Sequence, residues 1–256
     1  MAEITYPKSV VVFAAHPDDT EIFCAGTLAL LAAKGYRITV CTVTAGGMGG
    51  FAGDEAATIR TREAEARAAA RILGADYRCL GGRDGYLYDT EELRIKAQDV
   101  IREAKAGIVI GHLSVDYHPD HRAAAAIADA AAILATLPNV PSRFPPLPAN
   151  PLFYHSATLG LTDPLGNPIA RPHFFVDVGS VEEVKMRMLA CHQSQIEVMA
   201  VMHKMDDFFG AMQAQDITWG KEAGVRFAEA YWQHLGGGFQ KTPLIQNELK
   251  EFVIPG

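Results

Sequence analysis

The chain has 256 residues, of which 49% are hydrophobic and 21% are charged, and its formal net charge is −7. This composition is typical of a soluble globular protein with a substantial core, and it excludes the disordered and fibrous classes. The acidic balance, without a basic block, makes nucleic acid and anionic membrane poor candidates as partners. The longest apolar helical stretch, residues 22–33, is shorter than the roughly 17 residues that a membrane span needs.

The four cysteines are scattered along the chain and form no C-x-x-C pair. Their spacing indicates reduced thiols and gives no cysteine-based metal site. Residues 1–4 show neither the basic nor the apolar segment of a secretion signal, so we expect a cytoplasmic protein. The nine histidines are therefore the soft side chains that remain available for a metal.

Strand and helix patterns alternate through the first half of the chain. Short apolar or β-branched runs predict strands at residues 10–14, 37–43, 77–80 and 107–112. Helical patterns alternate with them, at residues 20–34, 58–73, 89–104 and 121–137. This alternation predicts an α/β fold, with a Rossmann-like, mostly parallel sheet that carries helices on both faces.

The pattern changes after the fourth helix. A proline-rich segment, residues 138–151, predicts stiff, non-helical surface chain. Two strand-like runs and a helix follow, at residues 152–159, 173–178 and about 180–192. We expect a single domain over residues 1–256, with a core at about residues 8–192 and a helical C-terminal part at about residues 193–256.

Segments rich in glycine, histidine or aspartate follow each of the four strands predicted in the first half. These segments are residues 16–19, 46–53, 81–85 and 113–121. In parallel α/β sheets, ligands bind beyond the C-terminal ends of the strands. The clustering of these segments therefore predicts a binding site at that edge of the sheet.

Two His-Pro-Asp segments give the strongest chemical signal: HPDD at residues 16–19 and HPDH at residues 118–121. A helical turn brings His16 and Asp19, which are three residues apart, to one side. Two histidines and a carboxylate form a catalytic zinc set that leaves one position open for water. If one histidine of the second segment completes this set, Asp18 stays free as a general base. The other histidine is then available for the oxyanion or the leaving amine.

The same segments resemble the signature of the LmbE/PIG-L family of metal-dependent N-deacetylases. The family's A-H-P-D-D and H-P-D-H motifs correspond to residues 15–19 and 118–121, and the similarity extends over about residues 10–195. Further marks are a T-x-G-x-x-G loop, an R-x-x-E helix start, an Arg-Asp pair and a His-Gln-Ser-Gln segment, at residues 44–49, 60–63, 83–84 and 192–195. Within the family, the loop around Met48 and residues 224–229 are most similar to the diacetylchitobiose deacetylases.

The resemblance implies a metal set and a catalytic set. The metal set consists of His16, Asp19 and His121. The metal would be Zn²⁺, although Fe²⁺ or another divalent ion also suits nitrogen and oxygen ligands. The catalytic set consists of Asp18 as the general base, His118 as the residue that stabilises the oxyanion, and Asp120, which would orient His118.

The resemblance also implies the substrate contacts. Arg60 and Asp84 fall where the family contacts the sugar, and Met48 lies in the loop that would line the mouth of the site. We therefore predict a zinc-dependent hydrolase that removes an acetyl group from an N-acetylglucosamine-type sugar or sugar conjugate. Its expected partners are this small substrate and further copies of itself, in a homo-oligomer.

Two alternatives remain open at this point. One is an amidase of another N-acyl or thiol-sugar conjugate. The other is a nucleotide-binding Rossmann-like protein, because residues 47–52 fit the dinucleotide fingerprint G-x-G-x-x-G/A. That loop follows the second strand rather than the first, which favours a lid or a turn over a phosphate cradle.

Overall fold

The structure is a computed structural model, and it describes residues 4–51 and 53–256. Residues 1–3, on which most of the expectation about a secretion signal rests, and Ala52 of the glycine loop lie outside the described residues. Where the chain is described, no helix combines the length and apolar character that crossing a membrane requires.

Strand–helix units make up the first half of the chain. In chain order they are β1 (Ser9–Ala14), α1 (Asp19–Phe23), α2 (Ala25–Ala33), β2 (Arg37–Thr44), α3 (Glu55–Ile72), β3 (Asp76–Gly82), α4 (Glu91–Ala104), β4 (Ile108–His112) and α5 (Pro119–Leu134). The proline-rich segment after α5 is irregular, as its sequence predicts.

The second half mixes strands and helices in a different order. It contains β5 (Leu152–Ser156), a 3₁₀ turn (Leu159–Leu161), β6 (Phe174–Asp177), α6 (Glu182–Leu189), α7 (Gln193–His203), α8 (Phe208–Ala223), β7 (Ala228–Gln233), α9 (Leu244–Glu248) and β8 (Val253–Pro255).

The strands described by the structure form one sheet in the order β3-β2-β1-β4-β5-β7-β6-β8. The first five strands pair in parallel, and β7, β6 and β8 add antiparallel pairs. Val10 and Val12 of β1 pack in a cluster with leucines of α2, whereas Val11 and Phe13 pack with residues of α4 and α5. Because alternate side chains of one strand enter two cores, helices cover both faces of the sheet. The predicted fold class is confirmed.

The expected helical C-terminal part contains α7, α8 and α9, together with the strands β7 and β8. β7 pairs with both β5 and β6, so this strand lies inside the sheet. Residues 193–256 therefore add strands to the sheet as well as helices, and the single domain over residues 1–256 stays a prediction. The sequence of β7 is short and lies directly after a helix, and its strand character depends on the two neighbours that pair with it.

The single helix predicted at residues 20–34 is two helices, α1 and α2. The break falls at Cys24, whose φ of −152° and ψ of 5° leave the helical region. In the first turn of α2, directly after the break, the backbone N–H groups of Gly26 and Thr27 donate hydrogen bonds to the carboxylate of Glu229, at 2.9 Å and 2.8 Å. The first N–H groups of a helix have no partner within the helix, so Glu229 supplies the cap that α2 needs.

Glu229 also belongs to a buried charged cluster between β7, α6 and α8. Lys185 Nζ lies 2.9 Å from Glu229 Oε1 and 2.6 Å from Asp216 Oδ2. The hydroxyl of Tyr231 donates a further hydrogen bond to Glu229. We call Lys185, Asp216 and Glu229 the Lys185 cluster.

Candidate active site

The HPDD turn joins β1 to α1 at the C-terminal edge of the parallel strands. Asp18 has a φ of 100°, a left-handed conformation that costs a residue with a side chain on the order of 1 kcal/mol. The carboxylate of Asp19, the first residue of α1, accepts a hydrogen bond from the backbone N–H of His16 at 2.8 Å. This turn directs the side chains of His16, Asp18 and Asp19 into one cleft.

The HPDH segment reaches the same cleft from β4 and α5. His118 precedes α5, Pro119 occupies its first turn, and His121 follows one turn later. The rings of His118 and His121 lie with their centroids 4.9 Å and 5.4 Å from that of His16. The predicted convergence of the two segments is confirmed.

Asp19 lies between the two histidines of the expected metal set. Its Oδ2 is 3.4 Å from His16 Nδ1, and its Oδ1 is 3.3 Å from His121 Nε2. Asp19 is buried, as is His121. The carboxylate of Asp19 therefore lies within 3.4 Å of an imidazole nitrogen of each of these histidines.

The second nitrogen of each of these histidines faces another carboxylate. His16 Nε2 lies 3.2 Å from Asp84 Oδ1 and 3.2 Å from Asp120 Oδ2, and His121 Nδ1 lies 3.1 Å from Asp116 Oδ1. Such carboxylates hold a metal-binding histidine in the required tautomer and orientation. The arrangement directs His16 Nδ1 and His121 Nε2 at Asp19.

Asp120 and Asp116 differ from what the sequence indicated. Asp120 was expected to orient His118, but its carboxylate contacts His16 and accepts hydrogen bonds from the backbone N–H groups of Gly85 (2.7 Å) and Leu87 (3.4 Å). Only the backbone N–H of Asp120 meets His118, at Nδ1. Asp116 was not predicted as a site residue, although it lies within the glycine-, histidine- and aspartate-rich segment after the fourth strand.

His112 also stands next to the metal set, with its ring stacked on that of His121 at 4.1 Å. Its Nε2 lies 3.4 Å from Asp19 Oδ2, so geometry alone would admit it to a ligand group with Asp19 and His121. However, the backbone N–H of Ala15 donates to the same Nε2 at 3.0 Å. Because that lone pair is occupied, His112 supports the site and does not fit as a ligand.

The electrostatics of the cleft reflect these contacts. Burial opposes the charge on His121, but Asp19 and Asp116 outweigh it and raise the pKa of His121 to about 9. Burial likewise opposes the charge of Asp19, but His121 and the hydrogen bonds from the surrounding histidines hold the pKa of Asp19 well below its usual value. Positive charge is therefore favoured at this point, and a divalent metal would supply it in place of protons.

Asp18 differs from Asp19. Burial raises its pKa to about 6, against the opposing charge of Arg62. Arg62 Nη2 lies 3.2 Å from Asp18 Oδ2 and donates to the carbonyl oxygen of Pro17 at 2.7 Å. Asp18 is therefore held in place by a guanidinium, while its pKa stays close to the pH at which a general base operates.

The arginine that reaches the cleft is Arg62 and not Arg60. Arg60 is exposed on α3, whereas Arg62 is 4% exposed and lines the cleft. On a helix, the side chains of residues i and i+2 point in directions that differ by about 200°. Only one of the two arginines can therefore face the sheet edge. The R-x-x-E pattern occurs twice in this helix, at residues 60–63 and 62–65, and the second occurrence is the one that would have predicted the observed contact.

The glycine loop after β2 is fixed by side chains from three directions. Arg62 donates to the carbonyl oxygen of Gly46 (3.0 Å), Gln195 donates to that of Gly49 (2.8 Å), and Asp84 accepts from the N–H of Met48 (2.8 Å). Asp84 and Met48 thus lie at the cleft, as expected. Because these groups already hold the loop, and a carboxylate occupies the N–H of Met48, the loop does not form an anion cradle of the kind a dinucleotide needs.

The cleft has a volume of about 410 Å³ and two unlike sides. Its polar side carries the two His-Pro-Asp segments, Asp84, Arg62 and the glycine loop. Its other side is apolar and comes from α1, the segment after β5, α7 and α8, with Ile22, Leu159, Met199, Phe208 and Met212. Apart from Ile22, we call these residues the apolar wall. None of the four gave a site signal in the sequence, because an apolar residue looks the same in a core and in a cleft.

The chain is similar to known deacetylases in sequence. The family described as "PIG-L: GlcNAc-PI de-N-acetylase" matches residues 11–132. A diacetylchitobiose deacetylase from Thermococcus kodakarensis is 30% identical over 235 residues, which cover 87% of this chain and 81% of the relative. A "probable N-acetyl-alpha-D-glucosaminyl L-malate deacetylase 2" from Bacillus anthracis is 31% identical over 205 residues, covering 73% of this chain and 81% of the relative.

The fold agrees with these matches. The solved structure of N,N'-diacetylchitobiose deacetylase from Pyrococcus horikoshii superimposes with a TM-score of 0.75 at 23% identity, covering 92% of this chain and 87% of that one. The protein is thus a hydrolase that acts on N-acetyl amides. It belongs to the PIG-L family, as its two His-Pro-Asp segments predict.

Proposed function

We propose that this protein is a zinc-dependent deacetylase that hydrolyses the N-acetyl group of a small N-acetylglucosamine-type sugar or sugar conjugate. The observation that carries the proposal is the position of Asp19 between His16 Nδ1 and His121 Nε2, with each histidine backed by a carboxylate on its other nitrogen. Relatives named for deacetylating N-acetylglucosamine compounds support the substrate class.

The donor set fits a divalent metal. His16, Asp19 and His121 would hold it, with two neutral nitrogens and one carboxylate oxygen, which is a ligand set of catalytic zinc sites. Fe²⁺ accepts the same ligands. When bound, the metal lowers the pKa of a water molecule to about 7 and polarises the amide carbonyl.

Asp18 is suited to take the proton from the attacking water. It lies next to Asp19 in sequence, lines the same cleft, and has no role in the metal set. Its pKa of about 6 leaves it ionised at neutral pH and still basic enough to accept a proton. Arg62 holds the carboxylate in a fixed direction, so the base needs no reorientation during the reaction.

His118 is suited to stabilise the developing oxyanion. Its Nδ1 accepts a hydrogen bond from the backbone N–H of Asp120 at 3.2 Å, which places the imidazole proton on Nε2 as a donor. Burial, followed by the charges of His16 and His121, lowers the pKa of His118 and keeps the ring neutral. In a neutral imidazole the Nε2–H group is already available as a donor, so it can stabilise negative charge without a prior proton transfer.

The polar side of the cleft suits the sugar. Asp84 offers a carboxylate, and Met48 and Gly49 bring the glycine loop close to the ligand. Arg60 is exposed and does not line the cleft, whereas Arg62 lines it and holds Asp18. Hydroxyl groups of a sugar ring need partners such as the carboxylate of Asp84 when they leave water.

The test measures acetate release and metal content together. Protein stripped with a chelator should be inactive towards N,N'-diacetylchitobiose and N-acetylglucosamine, and one equivalent of Zn²⁺ or Fe²⁺ should restore activity. Less than about a third of an equivalent of bound divalent metal, with no gain on its addition, would overturn the proposal. The homo-oligomer and the cytoplasmic location stay predictions, which light scattering and cell fractionation test.

A matched pair of variants on α3 tests the role of Arg62 in the cleft. Arg62→Ala should lower kcat/KM on the order of 10²-fold, because it removes the contact that fixes Asp18. Arg60→Ala, on the exposed face of the same helix, should leave kcat/KM within twofold. Equal losses in the two variants would contradict the assignment of Arg62 to the cleft.

A further inference from the structure

We infer that the part of the substrate beyond the N-acetylglucosamine unit is uncharged and packs its apolar face against the apolar wall formed by Leu159, Met199, Phe208 and Met212. This inference rests on the proposed function and concerns the specificity of the same site. The site should therefore prefer neutral glycosides to anionic conjugates. Membership of the PIG-L family does not distinguish between these two classes of substrate.

The first observation is the charge of the cleft. Among the described residues that line it, Asp18, Asp19 and Asp84 are carboxylates, and Arg62 is the only lysine or arginine. The guanidinium of Arg62 is already engaged by Asp18 and by the carbonyl oxygens of Pro17 and Gly46. In the metal-bound site Asp19 would be offset by the metal, and Asp18 is paired with Arg62. Asp84 is then the carboxylate that an anionic aglycone would meet, without an unengaged lysine or arginine in the lining to offset its desolvation.

The two basic side chains adjacent to this lining in sequence do not alter the balance. Arg122 follows His121, but its guanidinium donates to the carbonyl oxygens of Asp116 and Tyr117, and it does not line the cleft. Arg83 precedes Asp84, but its guanidinium stacks over Tyr86 at 4.8 Å and lies 3.9 Å from a carboxylate oxygen of Glu55. It is largely exposed and does not line the cleft. Charges in such a position are screened by solvent and contribute little.

The second observation is the extent of the apolar wall. The acetyl methyl group needs a single apolar contact, and Ile22 offers one within the turn that follows Asp18 and Asp19. The wall adds four side chains from three further elements: the segment after β5, α7 and α8. Phe208 and Met212 are themselves packed in a hydrophobic cluster with Ile22, which holds the wall in place. A surface of this width suits the C–H face of a second sugar ring or an aliphatic aglycone.

The experiment compares ligands that differ in charge but not in shape. The L-malate conjugate of N-acetylglucosamine and its neutral diamide are nearly isosteric, and acetate release is measured for both. We expect kcat/KM to be at least about tenfold higher for the diamide. A hexyl β-glycoside of N-acetylglucosamine should also have a lower KM than the methyl β-glycoside, because the hexyl chain reaches the wall.

Variants of α7 provide the matched control. Met199 lines the cleft, whereas Val201, two residues later on the same helix, is 69% exposed and does not. Met199→Lys should raise the malate-to-diamide ratio of kcat/KM roughly tenfold, since it adds a cation to the wall. Val201→Lys, with the same change in net charge, should leave the ratio unchanged. Leu159→Arg tests the wall from another element if α7 does not tolerate the lysine.

The outcomes separate this inference from the proposed function. Acetate release that is faster from the malate conjugate, or equal shifts in Met199→Lys and Val201→Lys, would overturn the inference alone. If no compound releases acetate, the proposed function fails. Calorimetric binding of the same malate and diamide pair then decides the inference, which is overturned if the anionic ligand binds as tightly as the neutral one.

Discussion

Two buried clusters of charged side chains balance their charge in different ways. In the Lys185 cluster, an ammonium group lies between the carboxylates of Asp216 and Glu229, at 2.6 Å and 2.9 Å. At the edge of the parallel strands, the carboxylate of Asp19 is surrounded by histidines and opens onto the cleft. The first cluster contains a permanent cation of its own, whereas the positive charge of the second depends on protons.

The difference explains why only one cluster is a site. Burying a carboxylate is costly unless a cation accompanies it. Lys185 satisfies that need from within, so the Lys185 cluster has no position for a ligand and serves to join β7, α6 and α8. Histidines can give up their protons near neutral pH, so the cluster around Asp19 can exchange them for a metal. Variants of the two clusters should therefore respond differently.

The histidines of the HPDH segment should differ most sharply. His121→Ala removes a metal ligand, so metal content and acetate release should both fall to background. His118→Ala removes only the donor to the oxyanion, so metal should stay bound while kcat falls on the order of 10²-fold. Metal analysis by mass spectrometry alongside kinetics checks both variants, and the reverse pattern would exchange their roles.

Removal of the base should leave the metal in place. Asp18→Asn preserves the shape of the side chain but cannot accept a proton, so kcat should fall by roughly 10² to 10⁴. One equivalent of metal should remain bound, because Asp19 and not Asp18 contacts the histidines of the metal set. Loss of metal from Asp18→Asn would show that the two aspartates have been assigned in the wrong order.

The Lys185 cluster should respond in stability rather than in chemistry. Lys185→Met leaves Glu229 and Asp216 buried without their cation and should lower the free energy of unfolding by about 3–5 kcal/mol. Lys221→Met, which removes an exposed lysine of α8, should change it by less than about 0.5 kcal/mol. Urea unfolding of both variants, with metal content held equal, is the measurement. Similar values for the two would mean that the cluster is not held by its lysine.

A further effect on stability concerns pH. Burial raises the pKa of Asp216 from 3.8 to about 7, against the charge of Lys185. A raised folded-state pKa stabilises the protein below pH 3.8, and this contribution is lost as the pH rises towards 7. Between about pH 4 and pH 7, the free energy of unfolding of Asp216→Asn should therefore decline less than that of the parent protein.

The control for the pH prediction is Asp206→Asn, which changes an exposed aspartate in the segment before α8. Its stability profile should run parallel to that of the parent protein across the same range. A parallel profile for Asp216→Asn as well would show that Asp216 does not titrate in this window.

Much of the candidate site could be predicted from local sequence. The spacing of His16 and Asp19 and the repeat of the pattern at His118 and His121 depend only on helical turns and on the common edge of parallel strands. Asp84 lies in a loop after a strand for the same reason. Each of these features follows from periodicity and from the rule that parallel strands end together.

Other features depend on contacts between distant parts of the chain. Arg60 and Arg62 have the same local pattern, and only the packing of α3 shows which of them faces the cleft. The carboxylate of Asp120 contacts His16, more than a hundred residues away in sequence. Residues 228–233 became a strand because β5 and β6 pair with them, and a single-sequence pattern carries no information about those neighbours.

The sequence by itself determined the α/β class, the two His-Pro-Asp segments and the family to which they belong, since these follow from short-range pattern and residue type. The tertiary structure alone decided which nitrogen of each histidine faces Asp19, that Arg62 holds Asp18, and that one side of the cleft is apolar. Those properties are set by distances between side chains that lie far apart in the chain. A sequence lists the groups, but burial and packing decide which of them meet and which charge each of them carries.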